Sequence, residues 1–303
     1  MKRLTLLFSV TILLLCLWYI AENFYWYDIG RIMQNVRSTY FFAGVLSVMI
    51  FWLIRSYRWS ILLGNLNMKV PAGELYFYNA ISLSISTMTP LLSGEAIKVE
   101  WLKNDGFINR TVGYSTLLTE RTMDLLVVSM IAMLAIYNNY SGNYKYLLIA
   151  GCLLIIFIMV VGIVAMMKIR RIRKYYVINT IINSVGSLKS LSIIMLLTIA
   201  GWFIIGFGWQ ITLNSIKIEI GFFETLAMVA VVSIINILSL IPGAIGISEV
   251  SISLYLGMAK QMSIVEAQSG ALIIRLYGLM IIILGIIHFL FYNITRITKK
   301  NEK

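Results

Sequence analysis

The amino-acid sequence predicts an all-α polytopic membrane protein with about six full spans and two re-entrant, broken-helix hairpins arranged as an inverted repeat. Two observations predict this fold class. The 303 residues are 60% hydrophobic and 13% charged, with a mean hydropathy of +0.87, whereas a soluble domain is nearer half apolar and a quarter charged. Two apolar stretches are also interrupted in the same way, at "TPLLSGEAIK" (89–98) and "IPGAIGISEV" (241–250). We expect a single integral membrane domain over 1–303.

Six apolar runs are candidates for spanning helices, which require roughly 20 residues. The first run is too long for the apolar part of a signal peptide, and no small-x-small cleavage site follows it, so we interpret it as a retained helix. Cys16 and Cys152 lie inside apolar runs, which indicates packing residues and not a disulfide or metal site. The six runs are 4–21, 40–55, 112–137, 146–167, 190–214 and 264–293.

Two further apolar stretches, 74–91 and 222–241, each end at one of the interrupted motifs. The pieces that follow them, 94–104 and 247–258, have roughly 11 to 12 residues, which is too few to cross a bilayer core. Each pair is therefore either one span plus a surface helix or a hairpin that enters and leaves the membrane on one side.

The distribution of basic residues decides between these alternatives, because lysine and arginine are enriched in cytoplasmic loops. With two hairpins and a cytoplasmic N-terminus, 18 of the 25 lysines and arginines lie inside and five outside. The inside set includes Arg55, Arg58 and Lys98. If 74–91 spanned singly, the basic segment "KIRRIRK" (168–174) would move to the outer face. We therefore predict a multi-pass protein of the plasma (cytoplasmic) membrane with both termini in the cytoplasm, and we attribute its net charge of +12 to this topology and not to nucleic acid.

The two hairpin units align with each other by their internal spacing. A proline and a glycine lie four residues apart in both units, and a glutamate and an arginine lie 26 residues apart in both. The glutamate and the arginine each recur after 154 residues, and three crossings separate the units, so the sequence predicts inverted repeats over about 74–137 and 222–293. The markers are Pro90, Gly94, Glu95 and Arg121 in the first unit, and Pro242, Gly246, Glu249 and Arg275 in the second.

Interrupted helices at membrane depth indicate a polar centre. Non-helical backbone is tolerated there only where protein or a water-filled cavity satisfies its polar groups. Broken helices in inverted repeats are typical of secondary transporters. The predicted hairpin breaks are Pro90, Gly94, Pro242, Gly243 and Gly246.

Glu95 and Glu249 are predicted to lie in the first turns of the short helices, where a carboxylate complements the positive helix end. Each either caps its helix or takes part in function. Arg275 has no acid within its own apolar run, so its partner is expected to be Glu249 or Glu95. Such a pair either locks the hairpin to the helix or binds a ligand.

The segment "TLLTERTMDLL" (116–126) carries three charges at helical spacing, so Arg121 is expected to be satisfied within its own helix by Asp124. This difference from Arg275 predicts different roles for the two halves. No catalytic residue, metal ligand or cofactor is predicted. The candidate substrate-binding or translocation residues are Glu95, Glu120, Arg121, Asp124, Glu249 and Arg275.

At "LLSGEAIKVEWL", "LLTERTMDLL", "SLIPGAIGISEVSISLYLG" and "IIRLYGL" the sequence resembles the transmembrane region of lysylphosphatidylglycerol synthases, also called the flippase-like integral membrane family. The resemblance implies a domain that moves a lipid with a charged or sugar-bearing headgroup between leaflets. The full synthases continue into a soluble aminoacyl-transferase domain, whereas this sequence ends at "TRITKKNEK" directly after the last span. We therefore do not expect it to make lysylphosphatidylglycerol.

Three functions follow from these observations. The first is a lipid flippase or transporter for an anionic or glycosylated lipid. The second is a membrane partner of a separately encoded lipid-modifying enzyme or glycosyltransferase. The third is a lipid-linked transferase with Glu95 or Glu249 as general base, although the sequence has no nucleophile–base pair or DxD-type metal motif. We expect the lipid and the membrane as partners, and no nucleic acid.

Overall fold

The computed structural model describes residues 2–139, 145–168, 176–238, 241–259 and 261–301. Within these ranges the regular structure is entirely helical. The helices are α1 (Lys2–Asn23), α2 (Trp26–Gln34), α3 (Ser38–Gly64), α4 (Ala72–Ser86), α5 (Ala96–Asn104), α6 (Arg110–Asn139), α7 (Lys145–Lys168), α8 (Tyr176–Val185), α9 (Leu188–Asn214), α10 (Phe222–Leu238), α11 (Ile247–Leu254) and α12 (Ile264–Asn301).

Three of the described helices are long and apolar enough to cross a membrane, namely α3, α9 and the 264–294 part of α12. They confirm an integral membrane protein. The predicted spans at 4–21, 112–137 and 146–167 correspond to α1, α6 and α7, which have 22, 30 and 24 residues. Their crossing of the membrane stays a prediction. Most of the basic segment 168–174 lies outside the described residues.

Both predicted helix interruptions are present. The first turn is a 3₁₀ segment, Pro90–Glu95, between α4 and α5, and the second turn is a 3₁₀ segment, Pro242–Ala244, between α10 and α11. A proline stands at the start of each, where its missing N–H removes no helical hydrogen bond. Gly243 and Gly246 have φ values of 63° and 85°, a left-handed conformation that favours glycine. The predicted end of the second apolar arm, 239–240, lies outside the described residues.

The two turns lie against each other. A Cβ on Gly243 would be 3.1 Å from the carbonyl oxygen of Thr87, just before the first turn. Within the first turn, a Cβ on Gly94 would be 2.7 Å from the backbone nitrogen of Ser86, so the chain folds back onto the end of α4. The irregular backbone of the second turn thus contacts the residues between α4 and the first turn.

The order of elements in 38–139 recurs in 188–301, which is a longer correspondence than the predicted 74–137 and 222–293. Helices α3 and α9 have 27 residues each and begin 150 residues apart. Each is followed by a turn with one left-handed residue, Asn67 (φ 58°) or Lys217 (φ 63°), again 150 residues apart. A helix, a 3₁₀ turn, a short helix and a long helix then follow in both segments.

Helices α3 and α9 pack against each other in antiparallel orientation. Near the start of α3, a Cβ on Gly44 would lie 2.8 Å from the carbonyl oxygen of Gly208. Near its end, Asn65 Nδ2 donates to Ser190 Oγ at 2.8 Å. Residue numbers therefore rise along α3 as they fall along α9. Small residues allow this close approach, as in many membrane helix pairs, and a Cβ on Gly208 would lie 2.2 Å from Ser47 Oγ.

Two apolar clusters of buried side chains lie at opposite ends of this helix pair. One contains Leu62 and Leu63 at the end of α3, together with side chains of α4 and α5. The other contains Leu213 at the end of α9, together with side chains of α10, α11 and α12. Because α3 and α9 are antiparallel, the end of each helix lies beside the start of the other, and each end of the pair is covered by one cluster.

Candidate functional site

A cavity of about 640 Å³ lies where the two turns meet α3, α6, α9 and α12. Its wall is mostly apolar and includes Trp52, Trp202 and Trp209. Charged side chains from both halves of the chain reach this wall. They are Arg55, Arg58, Glu95, Arg121, Asp124, Glu249 and Arg275.

Arg58 on α3 is the centre of the charges in the first half. Its Nη1 lies 2.6 Å from Asp124 Oδ1 and also donates to Thr198 Oγ1 on α9 at 2.9 Å. Its Nη2 lies 3.2 Å from Glu120 Oε1. The guanidinium is buried, and charge-assisted hydrogen bonds of this kind are the strongest that a side chain makes.

Arg55 lies one turn before Arg58 on α3 and shares its carboxylates. Arg55 Nη1 is 3.0 Å from Asp124 Oδ2, and its Nη2 is 3.3 Å from Glu95 Oε2. The two arginines therefore join α3 to α6 and to the end of the first turn. Buried cations need such partners, since an unpaired charge in a membrane interior is costly.

Lys98 on α5 completes the first charged cluster, which comprises Arg55, Arg58, Glu95, Lys98, Glu120, Arg121 and Asp124. Its Nζ lies 2.7 Å from Glu120 Oε2 and 3.1 Å from Asn79 Oδ1. The ammonium also lies 4.2 Å from the ring centre of Trp59, where a cation–π interaction adds to its stabilisation. Lys98 is fully buried.

Arg121 pairs with a different carboxylate from the one predicted. Its Nη2 lies 2.5 Å from Glu95 Oε1, while Asp124 is held by Arg55 and Arg58. The expectation that Arg121 is satisfied within its own helix is therefore wrong, because α3 brings two cations to Asp124. Glu95 makes no capping hydrogen bond with α5, so its role is ion pairing.

The second pair, Glu249 and Arg275, is one of the two pairings that the sequence predicts for Arg275. Arg275 Nε lies 3.2 Å from Glu249 Oε1, and its Nη1 donates to the carbonyl oxygen of Gly243 at 3.0 Å. Glu249 Oε2 accepts from the backbone N–H of Gly246 at 2.7 Å. Glu249 therefore caps α11 as well as pairing with Arg275, and the pair ties the second turn to α12.

In both glutamate–arginine pairs the cation is more accessible than the carboxylate. The side chains of Arg121 and Arg275 are each 28% exposed, compared with 2% for Glu95 and 6% for Glu249. Since both arginines line the cavity, the accessible end of each pair is positive.

Three members of the first charged cluster, Arg55, Arg58 and Lys98, are predicted from the sequence to be cytoplasmic cations. All three are buried, and the basic bias of the predicted cytoplasmic side persists without them. A signal was present in the sequence, because Glu120 and Asp124 needed more cations than Arg121 alone. The spacing of Arg55 and Arg58 on one face of an apolar helix pointed to the same partners.

Comparison with known protein families gives one match that covers most of the chain. Residues 6–285 match the family described as "Lysylphosphatidylglycerol synthase TM region". The chain belongs to this lysylphosphatidylglycerol synthase TM-region family. No curated protein matches the chain.

Membership of the lysylphosphatidylglycerol synthase TM-region family identifies an integral membrane protein of lipid-related function. The matched range contains both turns, the first charged cluster and the second pair. The charged cavity is therefore part of the family region of the chain.

Proposed function

We propose that this protein is a lipid flippase that moves an anionic or glycosylated lipid between membrane leaflets. The observation that carries the proposal is the cavity where two broken helices meet, with the accessible ends of Arg121 and Arg275 on its wall. A cavity between broken helices that exposes charged groups is typical of substrate sites in membrane transporters.

The proposed architecture has about six full spans and two re-entrant hairpins in an inverted repeat, with both termini on the cytoplasmic side of the plasma membrane. The antiparallel packing of α3 and α9, which begin 150 residues apart, supports it, because equivalent helices of inverted repeats run in opposite directions. The contact between the two turns supports it as well, since irregular backbone at membrane depth must be covered by protein or line a cavity.

In this proposal the headgroup occupies the cavity while the acyl tails remain in the bilayer. An anionic headgroup meets the arginines before Glu95 and Glu249, because each carboxylate is paired with an arginine and is less exposed than that arginine. The headgroup oxygens would share the guanidinium donors of Arg121 and Arg275, whose planar forks suit phosphate. When the headgroup leaves, each arginine again contacts only its glutamate. Each arginine therefore alternates between the lipid headgroup and the glutamate.

The test is lipid exchange by the purified protein in liposomes that carry a headgroup-labelled anionic lipid. A membrane-impermeant quencher reports the fraction of label in the outer leaflet over time. We expect rapid equilibration by the wild type and equilibration slower by roughly tenfold or more for Arg275→Ala, since charge-assisted hydrogen bonds of 1.5–3 kcal/mol are lost. Arg110→Ala, which removes an exposed arginine of α6, is the matched control and should transport normally.

Two results would contradict the proposal. If the folded wild-type protein moves neither a labelled anionic lipid nor a labelled glycosylated lipid, a role as membrane partner of a separate lipid-modifying enzyme is favoured. If lipid moves at the same rate with Arg275→Ala and with wild type, the charged cavity is not the path.

A further inference from the structure

The first charged cluster is not electrically balanced. It contains four cations, Arg55, Arg58, Lys98 and Arg121, against three carboxylates, Glu95, Glu120 and Asp124. Six of these seven side chains are at most 12% exposed, and Arg121 is 28% exposed. An uncompensated buried charge costs several kcal/mol. The cluster therefore has a net charge of +1, which one further negative charge would neutralise.

The cluster also has hydrogen-bond donors that no protein group uses. Among the described residues, Arg55 Nε and Arg58 Nε are buried without a hydrogen-bond acceptor. Both arginines line the cavity. Buried donors in folded proteins are nearly always paired, so these N–H groups indicate an acceptor contributed from outside the chain.

The second pair differs on both points. Glu249 and Arg275 balance each other, and the Arg275 donors already serve Glu249 and the carbonyl of Gly243. The neighbouring polar side chains on the cavity wall, Ser233, Asn236 and Ser248, are uncharged. The two sides of the cavity thus offer different chemistry to a ligand.

From this asymmetry we propose that the first charged cluster binds one monoanionic oxyanion of the phosphodiester type. Its oxygens accept hydrogen bonds from Arg55 and Arg58, whose Nε donors have no acceptor, and its single charge offsets the excess positive charge of the cluster. The assignment rests on the proposed function in taking a lipid as the source of the phosphodiester. It selects a phospholipid with one negative charge over an uncharged glycolipid, and over a diphosphate, whose charge exceeds what the cluster offsets.

The test measures the apparent Tm of the purified full chain in detergent with two pairs of related probes, in each of which one member is anionic and the other is uncharged. One pair is dimethyl phosphate and its uncharged analogue trimethyl phosphate. The other is dioctanoyl phosphatidylglycerol and dioctanoylglycerol. At saturation the charged member of each pair should raise Tm by roughly 3 °C or more, and the uncharged member should not.

Charge-swap variants separate an anion site from a general effect on folding. Arg121→Gln makes the cluster neutral, and we expect it to weaken binding of dimethyl phosphate by roughly tenfold or more. The double variant E95Q/R121Q restores one excess positive charge and should regain most of the affinity. Arg110→Gln, the matched loss of an exposed cation on the same helix, should bind like the wild type.

The outcomes are separable from those of the transport assay. A Tm rise with dimethyl phosphate and with dioctanoyl phosphatidylglycerol supports a lipid phosphodiester, whereas a rise with dimethyl phosphate alone supports a soluble oxyanion as the source. Equal effects of charged and uncharged probes, or unchanged affinity in Arg121→Gln, overturn the anion site even if lipid is transported. Anion-selective stabilisation without lipid movement would contradict the flippase and leave the anion site standing.

Discussion

Glu95–Arg121 and Glu249–Arg275 are two glutamate–arginine pairs that lie 154 residues apart in the sequence, and their surroundings differ sharply. Glu95 lies within salt-bridge distance of Arg55 and Lys98 as well as Arg121. Glu249 has a single cationic partner within the described residues and also accepts a hydrogen bond from the backbone N–H of Gly246, at the start of α11. The Glu95–Arg121 pair is therefore part of a network of ion pairs, whereas the Glu249–Arg275 pair is isolated from other charges within the described residues.

The difference extends to the rest of the first charged cluster. At a spacing of 150 or 154 residues, its other members correspond to apolar or small residues in the second half. Gly208 stands where the first half has Arg58, and it permits the close approach of α9 to Ser47 of α3. The corresponding residues are Ile205, Gly208, Ile252, Ile274 and Gly278. The order of helices and turns thus recurs in the two segments, whereas the first segment carries buried charges where the second carries apolar or small residues.

The largest effect is expected from removing a shared carboxylate of the first half. Glu120→Gln takes away a partner of both Lys98 and Arg58, and breaking a buried ion pair from one side costs about 3 to 5 kcal/mol. The measurement is thermal unfolding in detergent. The matched control is Ile274→Val at the equivalent position, which should cost about 1 kcal/mol. Similar losses in both variants would remove the distinction between the halves.

The packing role of the second half predicts the next largest effect. Gly208→Ala places a methyl group 2.2 Å from Ser47 Oγ, and the required shift should destabilise the protein by about 1 to 3 kcal/mol. Gly151→Ala on α7, where nothing lies within 4 Å of the added Cβ, is the control. It should be neutral or slightly stabilising. A Gly208→Ala protein as stable as the control would show that α3 and α9 do not depend on close contact there.

A smaller effect compares the two glutamate–arginine pairs directly. Double-mutant cycles with glutamine at both positions should give a coupling of about 1 kcal/mol or more for Glu249–Arg275. The coupling for Glu95–Arg121 should be smaller, because Glu95 keeps Arg55 and Lys98 when Arg121 is replaced. The measurement is again the free energy of unfolding of the two singles and the double. A larger coupling for Glu95–Arg121 than for Glu249–Arg275 would mean that Arg55 and Lys98 do not compensate for the loss of Arg121.

The smallest effect is expected outside the cavity. Arg110 and Glu100 form a pair at 3.0 Å in which the arginine side chain is largely exposed. Exposed ion pairs contribute about 0 to 1 kcal/mol, so Arg110→Ala should leave the unfolding temperature nearly unchanged. A loss as large as that of Glu120→Gln would show that burial is not what separates the two kinds of pair.

Much of this architecture could be predicted because its markers are rare residues. Prolines in apolar arms fixed the positions of both turns, and an arginine without an acid in its own run required a partner such as Glu249. Arg55 and Arg58 were misplaced because they follow an apolar run, where arginine also marks a cytoplasmic end. Only the packing of α3 against α6 turns them inward.

The correspondence of α3 with α9 was also invisible in the sequence. The two helices share no charged landmark, since Arg55 and Arg58 correspond to Ile205 and Gly208. Their likeness lies in length and in the left-handed residue that follows each of them, Asn67 or Lys217. Backbone conformation at a non-glycine residue leaves little trace in one sequence.

If lipid crosses the membrane through the cavity, as we propose, blocking the cavity in active vesicles should stop its movement. In a background with Cys16 and Cys152 replaced by alanine, Ser233→Cys places one thiol on the cavity wall, and Leu153→Cys places one on an exposed face of α7. Lipid equilibration is measured before and after a bulky thiol reagent in the same vesicles. We expect modification to stop transport in Ser233→Cys and to leave it unchanged in Leu153→Cys. Undiminished transport by fully modified Ser233→Cys would contradict the proposal.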